Sequence, residues 1–350
     1  MLRPALAQGT SAAGSAIPPY SQALSFISGR TAGLHRPRKC AGVWRKIPLC
    51  PRILLGLAAL SVAGLAAPAA PLRVLYFSKS AGWEHSVVKR VDGQPSYTET
   101  VLARLGPTNG IEFTFSKDGS LFTPAYLAQF DVIMFYTSGD LCSVGTDGQP
   151  AMTPAGKQAL FDAIAGGKGF VGVHSCSDTF HTGETGGGNP PIKERRYQLY
   201  GDAADPFIKF LGGEFIRHGA QQVAKARVVD PAFPGCGALG DHLEVMEEWY
   251  TLKEFAPDIH TLLVLDTAGM QGTDYQRPPF ALAWARAIGK GRVWFNAMGH
   301  REDVWDNPKF QAMLVGGIEW AGGRVAAAVA PNLPAAAPHA NEIQAWVPAK

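Results

Sequence analysis

The stretch GFVGVHSCSDTFH, residues 169–181, has the pattern of a buried strand that runs into a sharp turn rich in chemically active side chains. The turn carries His174, Ser175, Cys176, Ser177, Asp178 and His181. Imidazole can serve as a general base or bind a metal ion, and a thiol near a helix N-terminus can become a nucleophile. From these residues alone three interpretations stay open: a nucleophile elbow, a metal site, and the polar end of a core strand.

Two further histidines stand where predicted strands end. His85, with Trp83 beside it, follows the first apolar strand of the chain, LRVLYFS at 72–78. His300 follows an apolar strand and opens a polar loop. Because the carboxyl ends of parallel strands meet at one edge of a sheet, we expect both histidines to lie near His174 at that edge.

The segment EVMEEWY, residues 244–250, contains a carboxylate and a tyrosine two positions apart. On a strand, the period of two places Glu248 and Tyr250 on one face and Glu247 on the other. A carboxylate can orient a histidine, ligate a metal or act as a general acid, and a tyrosine hydroxyl can donate to a sugar oxygen. A solvated edge strand is the alternative interpretation.

Strand-like and helix-like segments alternate through the first half of the globular region. The strand-like runs at 72–78, 111–116, 131–137 and 169–174 are short and almost continuously apolar, which is typical of strands covered on both faces. The alternation predicts an α/β fold with a doubly wound parallel sheet and helices on both faces. The second half lacks long helices between its strands and includes a predicted hairpin over 280–300, so we expect antiparallel additions there.

The charge distribution argues against a nucleic-acid partner. Eight of the 32 Lys and Arg residues lie in the first 70 positions, which contain no Asp or Glu. The rest of the chain therefore holds 24 basic and 29 acidic residues and is net negative. A general electrostatic attraction to nucleic acid is not expected of such a domain.

The first 70 residues have the pattern of a leader. Basic residues precede an apolar run from Ile53 to Leu65, and an A-x-A-like sequence follows at 67–69. We predict a signal peptide over about 45–69 with a dispensable extension before it, a secreted or periplasmic protein, and no stable membrane association after cleavage. An uncleaved N-terminal membrane anchor is the alternative, since 53–70 approaches the roughly 20 residues that span a bilayer. The main domain is predicted over 71–323, with a flexible Ala- and Pro-rich tail over 324–350.

Several linked motifs resemble the ThuA-like (trehalose utilisation) family over about residues 72–322. They are GFVGVHS, YGDAADPFIKFLGGEFIRHG, EVMEEWY, ALAWARAIGKGRVWFNAMGHREDVW and FQAMLVGGIEWA, in the family's order and spacing. The resemblance implies a flavodoxin-like sheet of the class I glutamine amidotransferase type. It also implies a role in disaccharide use through oxidised keto-sugar intermediates. Glu247 stands where the family usually has Asp.

The resemblance assigns places to the candidate residues. In the amidotransferase-like fold, His174 takes the position of the catalytic cysteine, and His300 falls where the triad histidine is kept. The family motif places His218 near the same edge, and His85 follows as a pocket residue. Cys176 lies two positions beyond the elbow, which weakens a thiol mechanism.

The sequence predicts a protein that acts on a disaccharide or keto-sugar glycoside by acid–base or metal-assisted chemistry, as a hydrolase, lyase or isomerase. The predicted catalytic residues are His174, His300 and Glu248, and the predicted substrate contacts are Trp83, His85, His218 and Tyr250. A divalent metal such as zinc is the candidate cofactor, with His174, His218, Glu248 and His300 as candidate ligands. The alternatives are a non-catalytic sugar-binding module and a thiol hydrolase through Cys176. The expected partner is a small carbohydrate, and self-association into a homo-oligomer stays open.

Overall fold

The structure is a computed structural model that describes residues 70–182 and 193–344. The predicted signal peptide over 45–69, and with it the alternative of an N-terminal anchor, lies outside the described residues. Within the described ranges, no helix is both long enough and apolar enough to cross a membrane.

The described residues form eleven strands and seven α-helices. The strands are β1 (Leu72–Phe77), β2 (Ile111–Ser116), β3 (Val132–Phe135), β4 (Gly169–Val173), β5 (Glu214–His218), β6 (Gln222–Val228), β7 (His242–Glu247), β8 (Tyr250–Lys253), β9 (His260–Leu265), β10 (Phe280–Ile288) and β11 (Gly291–Asn296). The helices are α1 (Tyr97–Thr108), α2 (Pro124–Leu127), α3 (Pro154–Ala165), α4 (Pro206–Leu211), α5 (Glu302–Asp306), α6 (Pro308–Ala321) and α7 (Leu333–Ala336).

Nine strands form one sheet in the order β2-β1-β3-β4-β11-β10-β9-β6-β7. The first five strands of that order are parallel, in the 2-1-3-4-5 arrangement of flavodoxin-like folds with β11 as the fifth. The remaining four are joined by antiparallel pairings, including the β10–β11 hairpin. The predicted flavodoxin-like sheet with antiparallel additions is therefore confirmed.

Helices cover both faces of the parallel part of the sheet. In β4, Phe170 packs against Phe210 of α4, with ring centroids 4.9 Å apart. Its partner on β11 is Val293, so the next residue, Trp294, points to the opposite face. There Trp294 lies against Gly317 of α6, where even a Cβ atom would come within 2.5 Å of the indole. This two-sided cover explains why the central strands are apolar throughout.

Two helices of the fold begin with a side-chain cap that is followed by proline. The Thr153 hydroxyl accepts the backbone N–H of Gly156 at the start of α3, and Pro154 is the first helical residue. Asn307 does the same for Lys309 at the start of α6. A side-chain cap followed by proline satisfies free N–H groups at a helix N-terminus and fixes its first dihedral angle.

The segment EVMEEWY does not form the single strand that the sequence predicts. β7 ends at Glu247 in the nine-stranded sheet, and β8 begins at Tyr250 in a separate two-stranded sheet with β5. Glu248 lies in the bend between them, so the period of two does not apply across this segment. Glu248 and Tyr250 nevertheless both reach the site described below, because the bend turns the chain toward the carboxyl edge of the large sheet.

Part of the predicted tail packs on the domain. Leu333 of α7 is buried, and the Asn332 side chain accepts the backbone N–H of Thr261 in β9 at 2.6 Å. Farther along, the Arg277 guanidinium donates to the carbonyl of Ala340 at 2.5 Å. These contacts tie residues up to this point to the antiparallel end of the sheet.

Candidate functional site

Chain segments from three strand ends and one bend meet at the carboxyl edge of the sheet. His85 lies in the loop after β1, His174 directly follows β4, and His300 lies four residues after β11. Glu248 comes from the bend between β7 and β8. One candidate ligand atom from each of these four residues lies within 4.8 Å of those of the others. The expectation that parallel strand ends gather these side chains is thus met.

His174 occupies an elbow in the backbone. Its φ of 46° lies in the left-handed region, which costs a non-glycine residue roughly 1–2 kcal/mol. The imidazole is fully buried, and its Nδ1 lies 2.8 Å from the carbonyl oxygen of Ala297. Because that oxygen can only accept, we assign the proton to Nδ1 and a lone pair to Nε2. Burial lowers the pKa of His174, so the ring is neutral at pH 7.

His85 and Tyr250 form a buried pair beside His174. The Tyr250 hydroxyl lies 3.2 Å from His85 Nε2, and its ring packs on His174 with centroids 4.1 Å apart. Burial, reinforced by the neighbouring His174 and His300, lowers the pKa of His85 well below 6.5. Burial raises the pKa of Tyr250 well above 10. At pH 7 the pair is therefore a neutral imidazole and a protonated phenol.

Glu248 supplies the negative charge of the site. Its Oε2 lies 2.9 Å from His300 Nδ1 and 3.8 Å from His174 Nε2. Burial raises the pKa of Glu248, whereas a proton on the neighbouring imidazole of His174 or His300 outweighs burial and lowers that pKa well below its usual range. Although His300 Nδ1 is close to the carboxylate, the angle is not that of a hydrogen bond, so this buried nitrogen lacks a hydrogen-bond partner.

His218, one of the four predicted metal ligands, lies at the rim. Its side chain is 41% exposed, and its Nδ1 is 3.0 Å from the carbonyl of Gly219 and 3.3 Å from Glu248 Oε1. The close group of four contains His85 in its place. Because His218 ends β5 in the small sheet, its position depends on how that sheet docks, which strand patterns do not predict.

A buried ion-pair network holds the loop that carries His85. Lys117, which follows β2, lies 2.8 Å from Glu84 Oε1 and 3.3 Å from Asp147 Oδ2. In the same loop the carbonyl of Trp83 accepts the Ser138 hydroxyl at 2.6 Å. The indole of Trp83 stays 69% exposed, as a side chain available for stacking would be.

A second group of charges surrounds His181, and no sequence pattern predicts which residues pair with it. His181 Nε2 lies 2.5 Å from Asp178 Oδ1, and its Nδ1 lies 2.9 Å from Glu214 Oε1. Arg196 extends the network on the Asp178 side at 3.2 Å, and Lys253 extends it on the Glu214 side at 3.2 Å. These residues come from four separate segments, and only their fold brings them together.

Cys176 does not have the surroundings of a nucleophile. It is fully buried, and burial raises the pKa of its thiol well above 9. We expect iodoacetamide to label Cys142, which is partly exposed, and to leave Cys176 and Cys236 unmodified in the native protein. Peptide mass mapping after brief alkylation checks this, with urea-unfolded protein as the fully labelled reference. Rapid native labelling of Cys176 would restore the thiol-hydrolase alternative.

Comparison with protein families decides the relationship of this chain. The model of the family described as "ThuA: Trehalose utilisation" matches residues 73–321. This chain belongs to the ThuA family. The family description indicates a carbohydrate-related role, and the matched range contains all seven predicted site residues.

Two solved structures are similar to this ThuA-family chain. A putative ThuA-like protein from Bacteroides uniformis ATCC 8492 has 18% sequence identity and a TM-score of 0.54, with 73% of this chain and 93% of that chain covered. A putative ThuA-like protein from Parabacteroides merdae ATCC 43184 has 14% identity and a TM-score of 0.48, with 74% and 92% covered. At 18% identity, the likeness to the Bacteroides uniformis protein shows that the two chains share a fold. A search of curated proteins finds no match.

Proposed function

We propose that this ThuA-family protein acts on a carbohydrate at a divalent-metal site formed by His85, His174, Glu248 and His300. One observation carries the proposal: His174 Nε2 is buried without a hydrogen-bond partner and faces Glu248 Oε2 at 3.8 Å. A lone pair and a carboxylate repel each other at this distance unless a proton or a cation lies between them. Three imidazoles and one carboxylate suit zinc or a similar divalent transition metal.

The other residues have supporting roles in the proposal. A bound metal would act as a Lewis acid that polarises a sugar carbonyl or hydroxyl. Tyr250, protonated at pH 7, would donate to a sugar oxygen, and the exposed Trp83 would stack on a sugar face. Without a metal, Glu248 would instead orient His300, so that the imidazole can move a proton to or from the substrate, which is the acid–base form of the proposal.

The proposed substrate is a disaccharide or keto-sugar glycoside, and the proposed location is the periplasm or the exterior of the cell. The family description supports the first, and the leader-like sequence before residue 70 supports the second. Removal of the leader would be visible as a new N-terminus near residue 70 when the mature protein is sequenced.

Metal analysis tests the site. The full chain, purified without chelator, is expected to hold close to one equivalent of a divalent transition metal, and His174→Ala is expected to lose it. His242→Ala is the matched control, because His242 is exposed on β7, away from the cluster. Wild-type protein that binds neither Zn²⁺ nor Co²⁺ on addition would contradict the metal proposal. Calorimetry with sugars, set against turnover, would then separate acid–base catalysis from a sugar-binding module.

A further inference from the structure

Glu247, the neighbour of Glu248, is a buried carboxylate whose partners are backbone groups. Its side chain is almost fully buried. One carboxylate oxygen, Oε2, accepts the N–H of Gly299 at 2.8 Å and that of His300 at 3.2 Å. The other, Oε1, accepts the N–H of Glu248 at 2.7 Å. Within the described part of the chain, Glu247 forms no ion pair.

These three contacts join the two chain segments that meet most closely in the site. Glu248 and His300 are more than 50 residues apart in sequence, yet their side chains approach to 2.9 Å. Glu247 fixes the backbone N–H of each. A carboxylate can satisfy all three donors because both of its oxygens accept, whereas an amide of the same shape must turn an NH₂ group toward one of them.

The turn before His300 is also held from its other side. Gly299 has a φ of 123°, which favours glycine, and its carbonyl accepts the Tyr136 hydroxyl at 3.0 Å and the Trp305 indole N–H at 2.7 Å. The peptide unit between Gly299 and His300 is therefore held at its carbonyl by Tyr136 and Trp305 and at its N–H by Glu247. A peptide unit held at both groups cannot rotate. The direction of the Cα–Cβ bond of His300 is thereby set by the fold before any ligand binds.

We propose that Glu247 is a positioning residue that sets His300 against Glu248 for cation binding. Glu247 accepts from the backbone of Glu248 and of His300 themselves, so its carboxylate sets the two residues whose side chains face each other in the site. The inference rests on the proposed cation site.

Histidine side-chain NMR of the full chain tests the positioning role without any metal. We expect the imidazole ¹⁵N signals of His300, assigned with a His300→Gln variant, to shift in chelator-treated Glu247→Gln, while those of His260 stay in place. Affinity for Co²⁺ is expected to fall roughly ten- to a hundredfold, as for other residues that orient metal ligands. Glu244→Gln, an exposed change on the same strand, is the control and should leave both readouts unchanged.

The outcomes separate this inference from the proposed function. Unaltered His300 signals and unaltered Co²⁺ affinity in folded Glu247→Gln would overturn the positioning role. If the wild type binds no Co²⁺ but the His300 signals still shift, the positioning geometry stands and the metal proposal fails. If Glu247→Gln does not fold, as judged by thermal unfolding, Glu247→Asp keeps both acceptor oxygens but withdraws them by one methylene, and it is measured in the same two ways.

Discussion

Replacing Glu248 by Gln is expected to lower the affinity of this protein for Co²⁺ or Zn²⁺ by at least about a hundredfold, more than loss of a residue that only orients a ligand. Glu248 is the only carboxylate among the four clustered residues, and its pKa lies well below the usual range. Gln has nearly the same shape but no charge, so the change isolates the electrostatic part of cation binding.

Isothermal titration of the full chain with Co²⁺ measures this loss, and the visible absorption of bound Co²⁺ reports the coordination geometry. Glu112→Gln, an exposed change on β2 at the far edge of the sheet, is the control. Glu248→Gln is also expected to lower thermal stability, because a folded-state pKa below the unfolded value means that the ionised carboxylate stabilises the fold. The titration is therefore made well below the unfolding temperature of the variant. Affinity within threefold of wild type would show that Glu248 is not a ligand.

The part of the site that the sequence predicts is the part built by parallel strands. His174 and His300 directly follow or closely follow strands whose apolar pattern is clear, so the rule that strand ends share an edge was enough to bring them together. His85 follows the same rule after β1. The close group of four contains His85, whereas the sequence predicts His218 as the fourth ligand. The position of His85 depends on its loop, which Lys117 holds through the ion pair with Glu84.

The parts that the sequence does not predict depend on bends and docking. A period of two across EVMEEWY places Glu247 on the face opposite to Glu248 and Tyr250, away from the predicted site. In the structure the chain leaves the large sheet immediately after Glu247, so this alternation does not hold. The acceptors and donors around Glu247 and His181 come from segments far apart in the chain. A lone Glu or His in such a segment has no local pattern that distinguishes a buried, paired side chain from a solvated one.

Replacing His181 by Ala is expected to reduce the free energy of unfolding by about 3 kcal/mol at pH 6, because it removes the cation between two buried carboxylates and leaves Asp178 with Arg196 and Glu214 with Lys253. Burial by itself lowers the pKa of His181, but Asp178 and Glu214 outweigh it and raise that pKa to about 9. The same contacts lower the pKa values of Asp178 and Glu214 against the effect of burial.

The pH dependence of the His181 effect distinguishes charge from packing. Since the folded pKa of about 9 exceeds the unfolded value of about 6.5, the protonated imidazole contributes its full stabilisation below pH 6.5. That stabilisation is lost as the pH rises through 9. The stabilisation from the ionised carboxylates of Asp178 and Glu214 is lost in the other direction, as the pH falls below about 4. Urea unfolding of wild type and His181→Ala should therefore give a difference in the free energy of unfolding that is largest near pH 5–6 and shrinks toward pH 9.

His339→Ala is the control, because it removes an exposed pair with Glu342 and should lower the free energy of unfolding by under about 1 kcal/mol at every pH. A His181→Ala difference that does not change between pH 6 and pH 9 would mean that His181 stabilises the protein by packing, and that the network carries no net charge stabilisation.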